Sequence, residues 1–178
     1  MNFSRRGFLS AFSFAASYLL SRNPALGGCQ IEPESLSARE SLTLDRSCFH
    51  EDAIIAMQFA NQEAQRFCHD YIGTEHLVIG MYRIWENVDP GVSERVGFSV
   101  ADLRNVVLVE IGKGDLEVMM GKLPKSEELD FCLRKAVEMA NDDQSEQVCM
   151  KQMLEAIMSV PNSTAKRIVV SALKANKS

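Results

Sequence analysis

The sequence predicts an all-α protein whose body consists of two similar helical blocks. Three observations carry this. Apolar residues recur at helical spacing along nearly the whole chain from Cys48 onward. The 178 residues include only 10 Gly and 5 Pro, too few for a loop-rich sandwich, whereas 9 Met and a single Trp suit adaptable packing between helices. Finally, a shift of 76 residues lays the second block on the first without gaps (Ile55 on Phe131 through Met81 on Ile157). With 46% hydrophobic and 24% charged residues the chain has enough apolar material for a packed core.

The elements follow in order. Between Cys48 and Cys68, Ile54, Met57, Ala60, Ala64 and Phe67 form one apolar stripe, with Glu51, Gln58, Gln62, Glu63 and Gln65 read as the polar face. Asp70-Tyr71-Ile72-Gly73 breaks the helix. Thr74 is expected to cap a second helix reaching about Trp85, with Glu75 in its electropositive first turn. Asn87 to Gly91, containing Pro90, ends it, and a short helix is expected from about Gly91 to Val96. Ser99 followed by Asp102 opens another helix, stopped by Gly112-Lys113-Gly114. After a connector, Ser126 caps a helix carrying Leu129, Leu133, Ala136, Val137 and Ala140. A polar break at Asn141 to Gln147 precedes a helix with Val148, Met153, Leu154, Ile157 and Met158, and Pro161-Asn162-Ser163 leads into a last one with Ile168, Val169, Ala172 and Leu173.

The overlay pairs apolar with apolar: Met57 with Leu133, Ala60 with Ala136, Ala64 with Ala140, Ile72 with Val148, Leu77 with Met153 and Val78 with Leu154. Two blocks related in this way bury equivalent faces. The alternative is chance agreement between two helical stripes.

The N-terminus is a separate object. Ser4-Arg5-Arg6-Gly7-Phe8-Leu9-Ser10 resembles a twin-arginine export motif, and Phe8 to Leu20 is moderately apolar, about as long as the apolar region of a signal peptide. Ala25-Leu26-Gly27 offers small residues for ordinary cleavage; Leu26-Gly27-Gly28-Cys29 resembles a lipobox, in which Cys29 would be lipidated. Residues 1–29 are thus expected to be a twin-arginine signal peptide and 30–47 a polar linker. The expected destination is outside the cytoplasm, with a lipid anchor if Cys29 is modified. The alternative is a cytoplasmic protein whose N-terminus is no true signal. No apolar run reaches the roughly 18 residues of a membrane span.

The run from Ala60 to Met81, A-N-Q-E-A-Q-R-F-C-H-D-Y-I-G-T-E-H-L-V-I-G-M, resembles the Clp N-terminal repeat, whose pattern reads A-x-E-E-A-x-x-x-x-H-x-Y-I-G-T-E-H-L-L-L-G-L. The likeness is strong in the first block and weak in the second. It implies two four-helix repeats with pseudo-twofold symmetry, placed at 48–114 and 115–178. The family's domain docks substrates and adaptors of Clp unfoldases. No G-x-x-x-x-G-K-[ST] occurs, so the resemblance is to a docking domain without the ATPase modules. It implies a non-enzymatic protein- or peptide-binding module, or an accessory subunit meeting Clp ATPase or peptidase subunits if the chain is cytoplasmic. An enzyme of unknown type is the third reading, without a visible catalytic constellation.

By the same resemblance Thr74 and Glu75 are the peptide-binding positions, and His69, Gly73 and His76 are structural, at the turn and helix cap. In some relatives the Glu of this motif holds a phosphorylated arginine. The second block carries Cys149-Met150-Lys151-Gln152 in place of Gly-Thr-Glu-His, so at most one such site is intact, and Cys149 is expected to lack the turn geometry that Gly73 supplies. No cofactor is implied. Cys68, His69 and His76 match no standard metal spacing, so no metal is expected either. The net charge of -5 argues against general nucleic-acid binding. Five cysteines without a C-x-x-C read as free, buried thiols, apart from the candidate lipid site at Cys29; the alternative is that the other four pair in an exported protein.

Overall fold

A computed structural model describes residues 46–115 and 121–175. The signal-like segment, Cys29 and most of the polar linker lie outside the described residues. Seven α-helices follow a 3₁₀ turn at Arg46–Cys48: α1 (Glu51–Arg66), α2 (Thr74–Val88), α3 (Val92–Val96), α4 (Val100–Glu110), α5 (Glu127–Asp142), α6 (Met150–Ser159) and α7 (Thr164–Ala175). None of them is long and apolar enough to cross a membrane. Among the described residues no strand forms, only two isolated β-bridges.

α1 buries a ridge of small side chains, Ala53, Ala56, Ala60 and Ala64. α2 lies close along it, and Gly80 is what lets the backbones approach: a Cβ there would run into the Ala56 carbonyl and stand 3.0 Å from the Ala60 nitrogen. α2 is apolar on most of its circumference, with Leu77, Val78, Ile79, Met81, Tyr82 and Trp85 buried, because helices of both halves pack on it. Tyr82 stacks on Phe98 at 4.8 Å and meets Trp85 edge-on at 5.5 Å. One continuous core joins the halves.

The pseudo-symmetry is carried by the main chain. α1 begins at residue 51 and α5 at 127; α2 begins at 74 and α6 at 150, each a shift of 76. α1 ends in a Schellman turn, with Cys68 at φ +58 and the His69 N–H donating to the Ala64 carbonyl at 3.0 Å. α5 ends identically, with Gln144 at φ +55 and the Ser145 N–H donating to Ala140 at 2.8 Å. The extended residues before the helices then pair across the halves, Ile72 with Lys125 and Phe49 with Val148. The Ser126 N–H donates to the Ile72 carbonyl and the His50 N–H to the Val148 carbonyl, both at 2.9 Å, and these bonds are again related by 76.

The halves diverge at their ends. α4 begins at 100 and α7 at 164, a shift of only 64, each behind a capping serine, Ser99 or Ser163. The twelve missing residues remove the last turn of the α2 equivalent and the whole α3 equivalent. A turn at 160–163 takes their place, so the second half shows three helices among the described residues, not the four the resemblance implies.

Candidate functional site

The motif of the first half sits where α1 hands over to α2. The Gly73 N–H donates to His76 Nδ1 at 2.9 Å, so that nitrogen holds a lone pair and the proton sits on Nε2. His76 Nε2 then donates to His69 Nδ1 at 2.9 Å, and His69 Nε2 to the Gly112 carbonyl at 3.1 Å. Two neutral imidazoles thereby tie the turn to the end of α4. Burial, helped by His69, pushes the His76 pKa down to about 3. The helix cap is therefore Gly73, with His76 reaching back from the third helical position; Thr74, expected to be the cap, is the first helical residue.

Thr74 is buried and bridges the halves: its hydroxyl donates to Glu128 Oε1 and accepts from the Ala165 N–H, both at 3.3 Å. Glu128 also accepts from the Thr164 N–H at 3.0 Å and the Thr164 hydroxyl at 3.1 Å. The N-termini of α2, α5 and α7 thus converge, and a carboxylate already fills the start of α7.

Glu75 is only 2% exposed, and its Oε1 has no hydrogen-bond donor. That oxygen lies 3.2 Å from His76 Nδ1, but both atoms are acceptors, so no ion pair forms. Burial raises the Glu75 pKa to about 7. Its own backbone N–H opposes the rise, the Glu128 charge adds to it and Arg167 opposes it. The carboxylate folds over Gly73, and a Cβ on residue 73 would collide with it. Gly73 is therefore needed for space rather than for an unusual backbone. Its φ/ψ of −97/175 is extended, and Cys149 adopts −100/173. Contrary to expectation, the second half keeps the turn. Gln152 replaces His76, accepting from the Cys149 N–H at 3.1 Å, and Lys151, in the place of Glu75, turns outward toward Asp143 at 3.9 Å.

His69, Glu75 and His76 bring three possible metal-ligand atoms within 4.8 Å of one another. They do not fit a metal. His76 Nδ1 accepts the Gly73 N–H, and the only remaining nitrogen carries the proton that bonds His69. Of the thiols, Cys132 is buried and its pKa is pushed up to about 11 by burial, while Cys68 and Cys149 are free and half-buried. Cys48 departs from the free-thiol expectation in being disulfide-bonded.

Glu63, assigned from the sequence to a polar face, is fully buried. Arg104 grips it through Nε at 2.8 Å and Nη2 at 2.6 Å, and Arg83 donates at 3.1 Å while its guanidinium covers the Phe59 ring at 4.0 Å. The signal was present: Glu63 lies three residues after Ala60 and seven after Ala56, on the apolar stripe itself.

The second crossing, at Phe49 and Val148, borders an open cleft of about 540 Å³ lined by Phe49, His50, Ile54 and Gln147 among others.

Two helical halves crossing through paired extended segments define an all-α pseudo-symmetric repeat domain. The family model for the Clp repeat (R) N-terminal domain matches residues 48–172, and the chain belongs to that family. It is similar to the ATP-dependent Clp protease ATP-binding subunit ClpA homolog of Porphyra purpurea, at 32% identity over 100 residues covering 56% of this chain and 12% of the relative. Against the chloroplastic chaperone protein ClpC1 of Oryza sativa subsp. japonica the identity is 29% over 133 residues, 70% of this chain and 14% of the relative. The chain thus spans about one seventh or less of these relatives. Among solved structures, the N-terminal domain of the chaperone ClpD from Arabidopsis thaliana superposes with a TM-score of 0.59 at 20% identity, over 73% of this chain and 95% of that one. The Hsp104 N-terminal domain from Candida albicans gives 0.50 at 13% identity, over 72% and 81%. Both share the fold.

Proposed function

We propose that this chain is a non-enzymatic module that binds proteins or peptides, as the docking domain of Clp unfoldases does. The observation that carries the reading is the family match across both halves, residues 48–172. Thr74 and Glu75, the positions the resemblance offers for peptide contact, are both buried, so a ligand meets the surface around them. Phosphoarginine is a poor fit to this crossing. The first N–H groups of α7 already face Glu128 and Thr74, so that helix start leaves none for a phosphate. A second reading, an accessory subunit on a Clp protease ring, draws on the names of its relatives, which are ATP-binding subunits of Clp protease.

Export through the twin-arginine route belongs to the same proposal and rests on Ser4-Arg5-Arg6 with the apolar stretch behind it. Mass spectrometry of the mature N-terminus tests it, and an intact Met1 in the cytoplasmic fraction refutes it. For the module itself the test is crosslinking and co-purification from separated compartments, with ATPase assay of the purified chain. Partners recovered without ATP turnover support docking; recovery of Clp subunits selects the accessory-subunit reading. Hydrolysis that persists through repurification overturns the non-enzymatic reading.

A further inference from the structure

Around the first crossing the surface is aromatic and acidic. Tyr71 is 39% exposed and Phe131 52%, although both are large and apolar. Tyr71 immediately precedes Ile72, which pairs with Lys125 at the start of α5, and Phe131 lies one turn of α5 beyond Glu128. Asp70 and Glu127 are exposed here and Glu128 is half-buried. The phenol of Tyr71 is pushed above its ordinary pKa by burial and then by Glu75, Asp70 and Glu128, so all three carboxylates lie within its electrostatic reach. Beneath them is the unpartnered, buried oxygen of Glu75. Three cations border the surface: Lys125 is held by Asp130 at 2.9 Å, Arg167 is exposed and opposes the rise of the Glu75 pKa, and Arg134 lies one turn beyond Phe131 on α5.

We propose that the surface formed by Tyr71, Phe131, Asp70, Glu127 and Glu128 docks a basic peptide segment carrying unphosphorylated arginine or lysine. The inference rests on the peptide-binding reading above and names the ligand chemistry of this crossing. Exposed aromatic faces receive cationic heads and their aliphatic stems, and the carboxylates around them pair with guanidinium or ammonium groups. A phosphate on the same side chain would meet like charge. The second crossing keeps acidic residues at the matching positions, Glu146, Glu51 and Asp52, but has Gln147 for Tyr71, Ile55 for Phe131 and Lys151 for Glu75, so it lacks the exposed aromatic pair. One basic segment per chain is the expected stoichiometry.

The test is fluorescence anisotropy of a short, labelled, N-acetylated peptide alternating Arg and Leu, against a Glu–Leu counterpart and a phosphoarginine copy. The Arg–Leu peptide is expected to bind best, and more weakly as salt rises. Phe131→Ala, and Asp70→Asn combined with Glu127→Gln, each change exposed side chains and are expected to weaken it about tenfold or more, the scale of a contact that matters at an interface. Val109→Ala, at an 85% exposed position on α4, should leave the affinity unchanged. Equal binding of the acidic or phosphorylated peptide, or unchanged affinity in the Phe131 and Asp70/Glu127 variants, overturns the proposal. If only the other peptides bind, this inference fails and the peptide-binding reading stands; if no peptide binds, both fail.

Discussion

Replacing Glu75 by Gln separates two accounts of that residue, because they predict opposite signs. A glutamate in the first turn of a helix ordinarily complements the helix dipole, and its loss costs a few tenths to about 1 kcal/mol at any pH where it is ionised. The structure instead buries Glu75, leaves one oxygen without a donor and raises its pKa from 4.5 to about 7. The folded state then holds a proton that the unfolded state has released between those values, so wild-type stability falls as pH rises from 4.5 to about 7. At about 1.4 kcal/mol per tenfold change in proton affinity, the interval amounts to about 3 kcal/mol, fully present above pH 7. Gln is a neutral isostere that never ionises. Glu75→Gln should therefore be close to wild type near pH 4.5 and more stable by about 1–3 kcal/mol at pH 8. His76, with its pKa lowered from 6.5 to about 3, makes both proteins less stable as pH falls from 6.5 toward 3, and this shared effect cancels in the difference. Urea unfolding followed by circular dichroism at half-unit steps from about pH 4.5 to 8 measures it. A difference that stays flat with pH, or a variant less stable than wild type at pH 8, would refute the burial argument and restore the dipole account.

Three further outcomes follow from the same geometry. Glu63→Ala strands Arg104 and Arg83, and in chemical denaturation should cost about 3 kcal/mol, the low end for a broken buried ion pair because both guanidinium groups are partly exposed. Joined to Arg104→Ile, Glu63→Met imports the residues at the equivalent second-half positions, Met139 and Ile168, and should recover most of that loss; a further loss would refute the equivalence. Gly73→Ala should destabilise the wild type by about 1–3 kcal/mol through collision with the Glu75 carboxylate, yet be nearly neutral in a Glu75→Ala background, as a thermal-melt double-mutant cycle would show. His76→Gln should cost about 1 kcal/mol because a Gln serves this role in the second half, whereas His76→Ala should cost at least ~2 kcal/mol by orphaning the Gly73 N–H; equal losses would remove His76 from the cap.

Most of the helical architecture is legible in the sequence because it depends on local rules. Ser99 and Ser126 announce their helices by offering a side-chain oxygen to the first turn, and the alanine ridge of α1 shows its buried side by spacing alone. The same rule misplaces Thr74. Threonine is a favoured cap and glycine has no side chain to cap with, so only the reach of His76 back to Gly73 reveals the true boundary. Glu63 and Glu75 are misread for a common reason. A carboxylate is assigned to water unless its partners or its cover are known, and these come from α4, α5 and α7, distant in sequence. The missing fourth helix of the second half was visible as spacing: the capping serines stand 64 residues apart where the earlier helix starts stand 76.

What the two halves share and what they do not share divides along a physical line. The shared features are main-chain bonds: both Schellman turns, the crossing pairs at Ile72–Lys125 and Phe49–Val148, and the reach-back caps, which any side chain with the right acceptor can complete. The side chains beneath this frame are free to differ. The first half ties α1 to α2 and α4 with a buried carboxylate and two guanidinium groups; the second has Ile168 in the apolar core and Met139 packed against it. A hydrophobic replacement of a buried ion cluster costs little when the whole cluster is exchanged together. The same independence lets Glu75 at one crossing stand as Lys151 at the other, while Glu128 is matched by Asp52, without altering the fold. Two sites on one symmetric frame need not bind one ligand. In this chain one crossing exposes Tyr71 and Phe131 while its counterpart is bordered by an open cleft, so the same frame presents two different surfaces.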